Sequence, residues 1–224
     1  LYRMAEEDLQ PKLLSIPGPG ILPSWIEKDV FCGGNSYVIA GRGPNGTMTL
    51  TRTDLSGTPI WSRSMGSPNL IYESIWSEMD ANGLILIVGN EYDNSTGQAA
   101  VVVAQVDCNG NNIWRQTYFW GGHYLRALSA TTFSTIPGGT GECYITGKTF
   151  LLGSNLVEDA FILKINTATG GLIFLRSYDI TPNAHDAGAC IQGIAAPAPN
   201  GGVWVSGYSS DLNNGPSNVM LMKT

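Results

Sequence analysis

Ile85-Leu-Ile-Val-Gly89 opens the stretch ILIVGNEYDNSTGQAAVVVAQVDCNGNNIW, residues 85–114, whose reading decides how this chain folds. Two apolar runs, 85–88 and 101–106, are rich in β-branched residues and bracket a polar loop, which is the pattern of two paired strands. Asp107-Cys-Asn-Gly110 then makes a tight turn, because an Asp side chain bonds back to its own backbone and Gly accepts positive φ. Trp114 follows four residues after that glycine.

The same succession recurs twice in full and once in part. Tyr37-Val-Ile-Ala-Gly41, Cys143-Tyr-Ile-Thr-Gly147 and Val203-Trp-Val-Ser-Gly207 match the opening strand, so the closing glycines lie 48, 58 and 60 residues apart. Second strands are expected over 48–53, 161–165 and 219–224, followed by the turns Asp54-Leu-Ser-Gly57 and Asn166-Thr-Ala-Thr-Gly170. Trp61 and Phe174 then stand where Trp114 stands, and the three rings are expected to be equivalent core anchors. A weaker strand over 73–78, 125–131 and 189–195 is expected to close each unit as its fourth. Asp80-Ala-Asn-Gly83, Pro137-Gly-Gly139 and Pro199-Asn-Gly-Gly202 return the chain to the next unit.

A repeat of four strands cannot bury both faces of its sheet alone, so neighbours must stack. The expected fold is all-β, a small β-propeller of about four four-stranded blades, over residues 20–224, with residues 1–19 as an extended N-terminal arm. The last repeat stops at Lys223-Thr224, half a unit short, and Gly20-Ile-Leu-Pro-Ser-Trp25 resembles Gly57-Thr-Pro-Ile-Trp61. An N-terminal strand, its own or a neighbouring subunit's, is therefore expected to complete the last blade, the second arrangement being head-to-tail.

These units resemble the β-propeller repeats of many secreted bacterial surface proteins, which run apolar strand, glycine, strand ending in Asp, glycine turn and Trp. That resemblance implies a fold and an extracellular or cell-surface location, and leaves function open. The turns also resemble the Asp-box of sialidase-type propellers, although Gly follows Asp here by three positions instead of two. No cluster of three arginines accompanies them, since Arg52, Arg63, Arg115, Arg126 and Arg176 fall mostly in strands.

Composition narrows the partners. A net charge of −6 gives no basic surface for phosphates, so nucleic acid is not expected. No apolar run approaches the roughly 18 residues of a spanning helix, so no membrane span is expected either. Cys32, Cys108, Cys143 and Cys190 lack any CxxC spacing and stand as disulfide candidates, with four free thiols as the alternative. His123 and His185 are the only histidines, and no serine sits in a nucleophile-elbow context. His185-Asp186 are adjacent, and neighbours in a strand point apart.

These absences lead to the expectation of a non-catalytic module, structural or ligand-binding, with no metal or cofactor, that assembles with itself into a surface structure or filament. The alternative is a glycan-binding or glycan-processing propeller using loop carboxylates and aromatics. Its binding face would gather Tyr92, Asp93, Trp120, His123, Phe150, Asp159, His185, Tyr208 and Asp211 from loops at one end. Asn45-Gly-Thr47 and Asn94-Ser-Thr96 are glycosylation candidates in the same class of loop.

Overall fold

The computed structural model describes residues 22–29, 31–67, 70–80, 82–132, 141–153, 157–180, 184–193, 203–211 and 218–223; for 189–193, 211 and 220 it describes the backbone alone. The expected arm at 1–19 and the turns at 137–139 and 199–202 lie outside these residues. Blade 1 comprises β1 (Leu22–Asp29), β2 (Ser36–Arg42), β3 (Met48–Asp54) and β4 (Pro59–Met65). Blade 2 comprises β5 (Ile71–Met79), β6 (Ile85–Asp93), β7 (Gln98–Val106) and β8 (Asn112–Tyr118). Blade 3 comprises β9 (His123–Thr132), β10 (Glu142–Leu151), β11 (Asp159–Asn166) and β12 (Leu172–Tyr178). Blade 4 has three strands among the described residues, β13 (Ala184–Gly193), β14 (Val203–Asp211) and β15 (Asn218–Lys223). Every sheet is antiparallel and none closes on itself, so the fold is all-β and propeller-like.

Two expectations require correction here. The weak strands at 73–78, 125–131 and 189–195 do not close the preceding units; as β5, β9 and β13 they head the following ones. Likewise β1 pairs with β2 of its own blade, Ile26 against Ile39 and Lys28 against Tyr37, instead of completing blade 4. The hairpin between β1 and β2 is secured by Asp29, whose carboxylate accepts the N–H of Phe31 and Cys32 and the Ser36 hydroxyl and pairs with Arg52 at 2.7 Å. Burial alone would raise the Asp29 carboxyl; the Ser36 hydroxyl, the two backbone donors and Arg52 hold it below the ordinary value.

The recurring glycine has one structural cause in all four blades. Opposite it the first strand carries an extra residue, so that the pairing steps from Pro23/Gly41 to Trp25/Ala40, Ser74/Gly89 to Trp76/Val88, Ala127/Gly147 to Ser129/Thr146 and Gly188/Gly207 to Cys190/Ser206. Such a β-bulge pushes backbone into the partner strand. A Cβ on Gly89 would stand 2.6 Å from the Glu73 carbonyl, and one on Gly147 only 1.9 Å from that of Arg126.

Each blade buries its forward face against the next. Val38, Ala40, Met48 and Leu50 pack on Ile85, Ile87, Val102 and Ala104; Leu86, Val88, Val101 and Val103 on Cys143, Ile145, Phe161 and Leu163; Tyr144, Ala160 and Ile162 on Val203 and Val205. Polar clasps reinforce the stacking. Trp61 donates its indole N–H to the Cys108 carbonyl at 2.9 Å, and Trp114 to the Thr167 carbonyl at 3.1 Å, each reaching the turn of the following blade. Buried Asn90 bonds both ways to the backbone of Ala127, at 3.0 and 2.7 Å. Trp61, Trp114 and Phe174 thus pack equivalently, but as half-buried rings at the seams between blades.

Of the cysteine candidates, Cys32 and Cys108 form a disulfide, Cα to Cα 5.4 Å, joining blade 1 to blade 2. Cys143 is a buried free thiol, pushed up by that burial, and the Cys190 side chain lies outside the described set.

Candidate functional site

Strands β6, β8, β10, β12 and β14 end, and β7, β9, β11, β13 and β15 begin, at the same end of the blades. The nine residues expected to line a binding face fall there, on β6, the β8–β9 connection, β9, β10, β11, β13 and β14. Register brings part of this set together. Tyr124 pairs with Phe150 across β9 and β10, and their rings stack with centroids 4.6 Å apart. Tyr92 from blade 2 extends the row, 6.3 Å from Tyr124 at a tilt of 43°. Trp120 stacks on His123 at 4.7 Å, a separate pair, since His123 and Tyr124 are neighbours in β9 and point to opposite faces. All five rings are half-buried.

Charged groups flank the row. Tyr92 donates its hydroxyl to Glu73 at 2.8 Å, and Arg126 lies 3.5 Å from the same oxygen. Burial, then the Glu73 carboxylate, keeps the Tyr92 hydroxyl protonated well above the usual phenol range. Lys148 pairs with Glu158 at 2.5 Å, and His185 Nδ1 lies 3.8 Å from the other Glu158 oxygen. Asp159 is raised above the ordinary carboxyl value, by burial first and then by Asp179 and Asp186, while His123 opposes the rise. Asp186 is buried and accepts the Ile180 N–H at 2.7 Å, facing away from half-buried His185 as neighbours in a strand must.

The remaining expected residues stand apart from this group. Asp93 turns inward on its own loop, accepting from Ser95 and Thr96, which hold its carboxyl below the usual value. Tyr208 lies on the outward face of blade 4, and Asp211 is placed by its backbone pairing with Ala184. Asn45 and Asn94 are exposed in their loops, Asn45 with φ of 60°. Tyr124, Glu73, Arg126 and Lys148 were not among the expected site residues; cross-strand register, which the sequence does not display, is what recruits them. Among the described residues no group of three metal-ligating side chains gathers, and no helix is long and apolar enough to cross a membrane.

No protein-family model matches the chain, and no curated protein matches it. It is similar to solved structures of variants of Synechocystis apocarotenoid oxygenase, one at 12% identity and a TM-score of 0.47, covering 96% of this chain and 53% of that one. A second variant gives 12% identity and a TM-score of 0.45, covering 92% and 51%. An apocarotenoid oxygenase/RPE65 chimera matches at 12% identity and a TM-score of 0.45, covering 96% and 52%. The chain therefore spans about half the length of these structures. These neighbours are enzymes, so the expectation of a non-catalytic, self-assembling module is withdrawn. At such identity and TM-score, the likeness carries neither an activity nor a residue role to this chain.

Proposed function

We propose that this end of blades 2 to 4 binds a small molecule that lays a flat, apolar face along Tyr92, Tyr124 and Phe150. The observation that carries the reading is the row itself: three rings from two blades, side by side and half-exposed where a folded core would bury them. Ring faces are electron-rich and attract planar or cationic groups. A cationic or hydrogen-bond-donating end of the ligand finds its counterpart at Glu73, the carboxylate that already accepts the Tyr92 hydroxyl. The Cys32–Cys108 disulfide supports an oxidising, extracellular setting for the chain.

A thermal-shift and fluorescence screen with planar amines, neutral aromatic compounds and oligosaccharides tests the reading. Hits should lose at least about tenfold in affinity with Phe150→Leu, which keeps apolar volume and removes the ring, and cationic hits should weaken with Glu73→Gln. Ligands bound equally well by Phe150→Leu would refute it.

A further inference from the structure

One end of the ring row carries a cation and a carboxylate that are poorly matched to each other. Arg126 stands two residues from Tyr124 on the same face of β9, and Glu73 reaches the row from β5 to accept the Tyr92 hydroxyl. Their contact, Arg126 Nη2 to Glu73 Oε2, measures 3.5 Å. The other Lys or Arg pairs with carboxylates among the described residues, Arg52–Asp29, Arg115–Glu91, Lys148–Glu158 and Lys164–Glu142, close to between 2.5 and 2.8 Å. A charge-assisted N–H···O bond falls at about 2.7–2.9 Å, so Arg126 and Glu73 are apposed without being well bonded. This pair is also the most open of the set, its side chains 37% and 41% exposed.

Each partner keeps capacity that the fold does not use. Tyr92, Asn90 and Arg126 all reach the same Glu73 oxygen, Oε2, at 2.8, 3.5 and 3.5 Å, and Oε1 accepts from no group among the described residues. On Arg126, Nε is buried without a hydrogen-bond partner, and the long Nη2 contact is the guanidinium's one hydrogen bond among those residues. Lys148, opposite Arg126 on β10, is already spent on Glu158 at 2.5 Å. Burial raises the Tyr124 hydroxyl while Arg126 and Lys148 oppose the rise, so the positive charge is felt in the middle of the row.

We infer that the ligand of the ring row is a free aromatic α-amino acid, an assignment that rests on the row being a binding site. Its planar side chain lies on Tyr92, Tyr124 and Phe150, its carboxylate takes the Arg126 guanidinium, and its ammonium takes Glu73 Oε1. An α-amino acid sets an ammonium and a carboxylate on one carbon, placing opposite charges side by side as Arg126 and Glu73 are placed. A guanidinium is a planar fork whose two parallel donors match a carboxylate. An amine alone would leave Arg126 unserved, and an acid alone would set a second carboxylate beside Glu73 with nothing to offset it.

Titration calorimetry of the full 224-residue chain with tryptophan, tryptamine and indole-3-propionate at neutral pH separates these parts. Tryptophan should bind at least about tenfold more tightly than either analogue, since each analogue lacks one hydrogen-bonded charge. Arg126→Gln should erase the advantage over tryptamine, Glu73→Gln the advantage over indole-3-propionate, and Phe150→Leu should weaken all three. Equal binding of the three compounds, each still weakened by Phe150→Leu, would overturn the amino-acid assignment and leave the ring row standing. Affinities untouched by Phe150→Leu would overturn the row and the assignment together. Failure of all three to bind, or an advantage of tryptophan that survives both glutamine substitutions, would also overturn the assignment. The three wild-type affinities decide it even where a variant fails to fold.

Discussion

Gly170 and Trp114 provide the sharpest test of how the blades are held together. Gly170 ends the β11–β12 turn with φ +68°, and a Cβ there would lie 2.8 Å from Cε3 of Trp114, the ring that reaches over from blade 2. Alanine at 170 carries two costs. Left-handed backbone costs about 1–2 kcal/mol for a residue with a Cβ. Displacing the indole loosens its N–H bonds to Gln105 at 3.0 Å and to the Thr167 carbonyl at 3.1 Å, about 1 kcal/mol more. Gly170→Ala should therefore destabilise by about 2–3 kcal/mol. Trp114→Ala should cost about 2 kcal/mol, less than the 3–5 typical of a fully buried ring, since this one is half-buried. In the Trp114→Ala background the clash with the ring is gone and only the flexible Gln116 side chain, whose Cγ would lie 2.8 Å away, must give, so the glycine substitution should cost about 1 kcal/mol less than in the wild type. Urea denaturation of the four proteins supplies the cycle. Additivity within about 0.3 kcal/mol would refute the seam, as would a different sign for Gly110 and Trp61, where the equivalent approach is 2.9 Å.

Three further outcomes follow from other parts of the fold. The Cys32–Cys108 bond closes a separation of 76 residues, so Cys32→Ser with Cys108→Ser should lower stability by about 4 kcal/mol, read from the denaturant midpoint; a loss under about 1 kcal/mol would show that the blades hold this geometry unaided. Burial, with help from Glu78 and Asp29, raises the Glu27 carboxyl from 4.5 to about 7, and its Oε2 has no hydrogen-bond partner among the described residues. A raised acid favours the folded state while protonated, so this contribution is full below pH 4.5 and lost as pH rises through about 7. After discounting for partial exposure it amounts to roughly 1–2 kcal/mol, and Glu27→Gln should flatten stability over that window; an unchanged pH slope would exclude Glu27 as its source. A cationic ligand should lose affinity with Glu73→Gln in titration calorimetry, and an unchanged affinity would exclude that carboxylate as its counter-charge.

Strand positions and the stacking of repeats were legible in the sequence because apolar runs, Asp-Gly turns and aromatic steps are local. The phase of the blades was not. β5 follows β4 after the five residues 66–70 and precedes β6 by the five residues 80–84, so loop length gives no reason to assign it to one sheet over the other. Its mixed sequence, Ile-Tyr-Glu-Ser-Ile-Trp-Ser-Glu-Met, also hides a bulge that interrupts the alternation. The glycine of each repeat was visible, yet its cause, an extra residue in the paired strand that at Gly89 and Gly147 sets a carbonyl under the missing Cβ, emerges only once the strands are paired. The same holds for the site. Tyr92, Trp120, His123 and Phe150 stood out as loop aromatics, whereas Tyr124 sat at the edge of an expected strand and enters the row through its register with Phe150. Likewise the Cys32–Cys108 pairing depends on blades 1 and 2 lying side by side, which no cysteine spacing reveals.

The central claim, that the ring row is a ligand site, is tested most directly by chemical-shift mapping with the best planar compound from the screen. The largest shifts should fall on Tyr92, Tyr124 and Phe150 and on neighbouring Glu73 and Arg126, and should vanish for Phe150→Leu. Shifts confined to blade 4 around Trp204 and Leu221, or spread evenly over blade 1, would contradict it.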